Sequence, residues 1–187
     1  RAAAPLSANV RFNLGQQLVA AGETNQALSE LEAAEHLVPE SPRAKSELAA
    51  FYFSAGRLDQ ARRKAEECLH LDPRNTAALL QLARIANEQK NLSAANAAYI
   101  QALGTTTDIR PRLQYGVFLF EHHRYREAIA AVDECHQLEP GNAVVFNLLG
   151  AVLSEQHRYN LAAEAFAQAR NLDRHSAEAD INLARLA

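Results

Sequence analysis

The 187-residue chain carries 19 Lys and Arg against 22 Asp and Glu, a formal charge of −3 at pH 7, which excludes the basic balance of a nucleic-acid binder. Alanine and leucine dominate, seven glycines and six prolines are scattered among them, and no apolar run approaches the ~18–20 residues of a membrane-spanning helix. No strand-like alternation persists, so the composition fits an all-helical chain.

One segment recurs. Ala27, Ala61, Ala95, Ala128 and Ala162 open the same kind of stretch at steps of 34, 34, 33 and 34 residues, and a fixed period in this range means a solenoid. A second marker runs in phase with the first. Ser7, Ser41, Asn75, Asp108, Asn142 and Ser176 are all residues whose side-chain oxygen can accept from an orphan N–H of a first helical turn. First helices are therefore expected from residues 8, 42, 76, 109, 143 and 177.

In chain order, residues 1–7 form a lead-in ending on Ser7. The unit 8–41 sets Leu14 beside Gly15, turns at Gly22, and starts a second helix near Asn25. Ala27 and Leu31 face inward there, and Pro39 closes the unit. The unit 42–75 opens on Pro42, at the first helical position where a missing N–H loses nothing. It pairs Leu48 with Ala49, turns at Gly56, restarts near Asp59 and closes at Pro73. The unit 76–108 pairs Leu82 with Ala83, places Lys90 at the turn and restarts near Ser93 with Ala95 and Tyr99. It is one residue short, and the deletion falls in Gly104-Thr105-Thr106-Thr107, which predicts an irregular loop. The unit 109–142 sets Tyr115 beside Gly116, turns at His123 and restarts near Arg126 with Ala128 and Val132; Pro140 ends it. The unit 143–176 sets Leu149 beside Gly150, turns at His157 and restarts near Asn160 with Ala162 and Phe166. Residues 177–187 form a capping helix or the start of a sixth unit, the chain running from Arg1 to Ala187 like an excerpt of a longer protein. Large beside small is what close helix packing asks for. Lys90, His123 and His157 stand where glycine would supply a positive φ, at a conformational cost.

The pattern resembles the tetratricopeptide repeat family, whose unit reads large-x2-Leu-Gly-x2-Tyr, then Ala-x3-Phe, then Pro. The first unit matches with Leu14, Gly15, Leu18, Ala27, Leu31 and Pro39; the fifth matches with Phe146, Leu149, Gly150, Leu153, Ala162 and Phe166. The departure is at the family's first large aromatic position, held here by Arg11, Lys45 and Arg112. The resemblance implies a right-handed α-solenoid of tandem helix-turn-helix units, first helices lining a concave surface.

Cys68 and Cys135 occupy the site held elsewhere by Ala34, Ala102 and Ala169, so they read as small apolar residues and not as a disulfide. Two unpaired buried thiols lean toward a reducing, cytoplasmic compartment. Glu121-His122-His123 lacks two histidines one helical turn apart, so it reads as a solvated turn and not a metal site. No phosphate cradle, nucleophile elbow or paired-carboxylate constellation is present, and neither catalysis nor a cofactor is expected.

What the residues can do lies on the first-helix positions that the resemblance turns toward the groove, numbers 2, 5, 6, 9, 12 and 13 of each unit. Position 6 carries Asn13, Glu47, Gln81, Gln114, Leu148 and Asn182. Four of these are amides, able to donate to and accept from an extended peptide backbone. Asn13-Leu14-Gly15 is similar to the asparagine-ladder motif of O-linked N-acetylglucosamine transferase repeats, a ladder that Glu47 and Leu148 break. The carboxylate-clamp pattern of chaperone co-factors is not matched, since Phe12 and Gln16, Glu47, then Ala77 and Gln81 stand in its places. Phe12, Phe53, Leu80, Leu113, Val117 and Phe120 are expected as groove apolar surface. Arg43, Arg84, Arg110 and Arg185 supply positive charge toward one rim, Glu88, Glu121 and Glu155 negative charge along the other, and Asn147 lies at position 5 of the fifth unit. The expected function is a non-catalytic scaffold binding a peptide segment of a partner protein. Alternatives are the substrate-recognition arm of a larger enzyme such as a glycosyltransferase, or an assembly subunit of a bacterial envelope complex. Self-association through the last helix would use Ile181, Leu183 and Leu186.

Overall fold

A computed structural model describes residues 7–174 and 177–186; residues 1–6 of the lead-in, Ala187 and the expected cap Ser176 lie outside the described residues. These form eleven α-helices and no strand. The chain divides into two compact units, one ending at Thr106 and the other beginning at Thr107. The first holds α1 (Ala8–Ala20), α2 (Thr24–Leu37), α3 (Pro42–Ser54), α4 (Leu58–Leu71), α5 (Thr76–Glu88) and α6 (Leu92–Leu103). The second holds α7 (Ile109–Glu121), α8 (Tyr125–Leu138), α9 (Ala143–Glu155), α10 (Tyr159–Leu172) and α11 (Ala177–Leu186). The first unit is three helix-turn-helix pairs and the second is two pairs followed by α11, so the fold is an all-α solenoid. The division falls at the shortened loop, where α6 has 12 residues against 14 in each other second helix.

First helices start where the cap residues place them. Ser41, Asn75, Asp108 and Asn142 each accept from a first-turn N–H, with Asn75 Oδ1 at 3.1 Å from the Ala78 nitrogen and Asp108 Oδ1 at 2.9 Å from that of Arg110. Ser7 makes no such bond. Second helices start one residue earlier than expected, so Asn25, Asp59, Ser93 and Asn160 lie inside the first turn and cap nothing. The reason is the turn. Gly22, Gly56, Lys90, His123 and His157 all take positive φ, from 58° to 79°, and the next two residues complete a tight return into the helix. The two histidines recover part of that conformational cost. Their Nδ1 atoms share hydrogen bonds with the Tyr125 and Tyr159 hydroxyls at 2.6 and 2.8 Å.

The large-beside-small pattern has a direct physical reading. A Cβ added at Gly150 would stand 2.6 Å from two carbons of the Phe166 ring; one at Gly15 would stand 2.8 Å from Leu31. Glycine is what lets α9 sit against α10 and α1 against α2. The core of the first unit gathers Phe12, Leu31, Leu48, Phe51, Tyr52 and Ile85, and Cys68 sits with Ala49, Ala65 and Ala78. Cys68 and Cys135 are free and buried. Burial pushes both thiols up to about 11, and Cys68 Sγ donates to the Pro42 carbonyl at 3.2 Å.

At the positions where the resembling family keeps an aromatic, the three basic residues reach acids on second helices. Arg11 pairs with Glu30 at 2.5 Å, Arg112 with Glu134 at 3.6 Å, and Lys45 with Glu35 and Glu67 at 2.6 and 2.9 Å. Lys64 closes the last set into a four-membered network. In the second unit Leu183 and Leu186 pack onto the cluster of Leu153, Ala162, Ala165 and Phe166. Both are half-buried there. On α11 that leaves Ile181, which is 52% exposed, on the open side together with Glu178, Asp180 and Arg185.

Candidate functional site

Within the first unit, the facing sides of α1, α3 and α5 carry polar groups tied to one another from repeat to repeat. Gln16 Nε2 on α1 donates to both carboxylate oxygens of Glu47 on α3, at 2.8 and 2.9 Å. Arg43 crosses back to α1, its guanidinium 5.4 Å from the Phe12 ring centroid and its Nη1 donating to Asn9 Oδ1 at 3.4 Å. Arg84 on α5 lies 4.0 Å from the Phe53 ring centroid on α3 and donates to Gln81 Oε1 at 3.4 Å. Guanidinium over an aromatic face is an attraction of about 0.5–2 kcal/mol, larger as water is excluded. Two of the arginines expected to supply positive charge at the rim are thus engaged with aromatic rings. A third, Arg110 in the second unit, is bound to Asp108, the cap of its own helix.

Between α1 and α3 the same face opens into a cavity of about 210 Å³. Its deep residues are Leu31 and Phe51, 2% and 4% exposed. Val19 and Ala50 stand beside them, and Gln16, Glu47 and Ser54 bring polar atoms to the lining. The repeat positions of Gln16 and Glu47 put them on the first-helix face, and both line this cavity. Val19, Ala50 and Ser54 occupy positions 12, 9 and 13 and follow from the same rule once small residues are given equal weight. Leu31 and Phe51 carry no such signal, because they reach the cavity only through the packing of α2 and α3.

Burial corrects three expectations. Phe12 is 1% exposed and belongs to the core; Gln81 and Asn147 are 9% and 5% exposed. Phe12 serves as the surface on which Arg43 rests, not as a contact offered to solvent. Asn147 Oδ1 is buried without a hydrogen-bond partner among the described residues. Phe53, Leu80, Leu113 and Phe120 are half-buried, while Asn13, Gln114 and Val117 are open to solvent. In the second unit Phe120 stands 6.2 Å from the Tyr125 ring. His122 of the Glu121-His122-His123 stretch lies against Phe118 at 4.9 Å, and His123 is held by Tyr125. Among the described residues no group of three or more metal-ligating side chains converges, and no helix is long and apolar enough to cross a membrane.

Residues 18–63 match the family model described as a tetratricopeptide repeat. No curated protein matches the chain in sequence. Among solved structures, the fold is similar to TTC0263, a thermophilic tetratricopeptide repeat protein of Thermus thermophilus. That pair is 19% identical over 96% of this chain and 98% of that one, with a TM-score of 0.80. The protein pilF of Pseudomonas aeruginosa is 19% identical over 96% and 82% of the two chains, at a TM-score of 0.77. YrrB, a tetratricopeptide repeat protein described as having an unusual peptide-binding site, is 19% identical over 91% and 89%, at 0.64. At these identities the likeness is one of fold. Residues 18–63 thus match the tetratricopeptide repeat model, and the chain shares the fold of solved tetratricopeptide repeat proteins.

Proposed function

We propose that this chain is a non-catalytic protein-interaction scaffold that takes a segment of a partner protein on the first-helix face of its first unit. The observation that carries the reading is the α1–α3 cavity, an apolar depression bordered by hydrogen-bonding groups on a surface built from successive repeats. Ligand sites combine an apolar concavity with a few placed polar groups in this way. Solenoids present such surfaces because each repeat contributes the same helix face. YrrB shares this fold and is itself described by a peptide-binding site. A photo-reactive residue placed at Gln16, or separately at Glu66 on the exposed side of α4, tests the reading. Cross-linking of protein segments at position 16, competed by the free segment and missing at position 66, is the expected result. Equal capture at both positions would remove the assignment to this face.

A further inference from the structure

We infer that the α1–α3 cavity is a selectivity pocket for one bulky aliphatic or aromatic side chain, and that Glu47 at its edge selects a neighbouring Lys or Arg of the same segment. The inference rests on the scaffold reading and adds to it the chemistry of the segment.

The size of the cavity sets the first half. About 210 Å³ exceeds the ~150 Å³ of an apolar cavity that holds a benzene ring, so a Leu, Ile, Met or Phe side chain can enter. Leu31 and Phe51 give it an apolar bottom, and both are fixed in the core of the unit. A rigid bottom means the space is present before the ligand arrives, which lowers the ordering cost of binding.

Charge sets the second half. Among the described residues Glu47 is the only charged one lining the cavity, and its side chain keeps 24% of its exposure. Both of its oxygens accept from Gln16, an amide that brings hydrogen bonds without a compensating charge. The nearest cation, Arg43, approaches only to 4.0 Å, because its guanidinium is drawn over Phe12 and toward Asn9. The pocket edge therefore carries a carboxylate that is hydrogen-bonded but only weakly neutralised. Opposite charge beside it is favoured and like charge is penalised. An acidic residue seated at the cavity edge would lie beside Glu47 and be repelled, so the basic segment is the one that fits.

Selection of a phage-displayed library of random linear dodecapeptides on the chain tests this directly. Enriched sequences should carry a bulky apolar residue with Lys or Arg within two positions. Synthetic peptides from the selection should lose about 10- to 100-fold in affinity when the apolar residue becomes Ala. The basic residue should contribute a smaller, salt-sensitive factor of about 3 to 10. Ala50→Phe, which fills the cavity, should abolish binding of these peptides; Glu47→Gln should keep the apolar preference and lose the basic one. Val19→Asn, at a position already 41% exposed, is the second probe of the cavity should Ala50→Phe unfold. Peptides that bind without the apolar–basic pair, that are acidic, or that bind Ala50→Phe and Val19→Asn unchanged would overturn the inference and leave the scaffold reading standing. Concentration-dependent self-association lost in Ala50→Phe would give the cavity to a second copy, and would likewise overturn it. A library from which nothing enriches would remove both.

Discussion

Replacing Gly150 by Ala sets a helix-forming gain against a packing clash, and the structure decides the sign. On an exposed helix the exchange would stabilise by roughly 0.5–1 kcal/mol, because glycine loses more backbone freedom on folding. Here the new methyl would stand 2.6 Å from Cδ1 and Cε1 and 2.9 Å from Cγ of Phe166. Ordinary carbon contacts are near 3.5–4 Å, so the ring must withdraw by roughly 1 Å. It has little room, being 3% exposed and enclosed by Leu153, Ala162, Ala165, Leu183 and Leu186. Overpacking of this kind costs about 1–3 kcal/mol, which at its centre outweighs the helical gain of about 0.5–1 and leaves a net loss of roughly 1 kcal/mol, at most about 2.5. Gly116 supplies the internal comparison, since a Cβ there meets one Leu148 methyl at 3.1 Å and the Ala131 Cβ at an ordinary 3.7 Å. Gly116→Ala should be near neutral or slightly stabilising.

Urea unfolding followed by far-ultraviolet circular dichroism reads the difference as a shift of midpoint. With a slope of about 1–3 kcal/mol per molar, Gly150→Ala should lower the midpoint of the second unit by roughly 0.5–1 M. Adding Phe166→Leu should restore part of that loss, a non-additive result that isolates the contact. A Gly150→Ala protein as stable as the parent, or one hurt less than Gly116→Ala, would refute the argument that close helix approach requires these glycines.

Lys90 holds φ at 60°, so Lys90→Gly should stabilise by up to about 1 kcal/mol. His123→Gly should gain less, because it also removes the bond to Tyr125; thermal unfolding of the pair checks the order. Burial lifts both thiols to about 11, so Ellman's reagent at pH 8 should find neither Cys68 nor Cys135 until denaturant is added. Burial alone would raise the Glu35 and Glu67 carboxyls, but hydrogen bonds and charge from Lys45 and Lys64 outweigh it and hold both below the ordinary value. A lowered folded value means that the network's contribution is present above the unfolded-state value and is lost as pH falls through the folded one. Stability measured between pH 6 and 3 should therefore decline, and Glu35→Gln should flatten that decline.

The helix starts were legible because a capping side chain is a local device: Ser41, Asn75, Asp108 and Asn142 act within three residues of themselves. The second-helix starts were displaced by one because Asn25, Asp59 and Asn160 look like caps, while the positive-φ turn before them fixes where the helix begins. Repeat position named Gln16, Glu47 and Arg84 as members of the first-helix face, yet it could not say that Arg84 would lie on Phe53 or that Gln16 would be held by Glu47. Such pairings join residues about 31 positions apart in sequence. Phe12 escaped for a related reason. Position 5 is half-exposed at Leu80 and Leu113, but at Phe12 the ring sinks into a core shared with Leu31, Leu48 and Phe51. The basic residues at the family's aromatic position read as departures from the pattern, and only their acidic partners on second helices reveal that an ion pair has taken the place of a packed ring.

Those cross-repeat pairings bear on how a ligand can gain affinity. Along the first-helix face of the first unit, Gln16, Glu47, Arg43 and Arg84 already have partners within the chain. A segment that hydrogen-bonds to them exchanges one set of polar contacts for another, an exchange whose net value is typically only about 0.5–1.5 kcal/mol per bond. Apolar surface entering the α1–α3 cavity has no such competitor, because Leu31 and Phe51 face it with carbon alone. The polar face should therefore set register and charge preference, while the cavity supplies most of the free energy. Affinity should then fall steeply when the anchor side chain is shortened and only modestly when salt is raised.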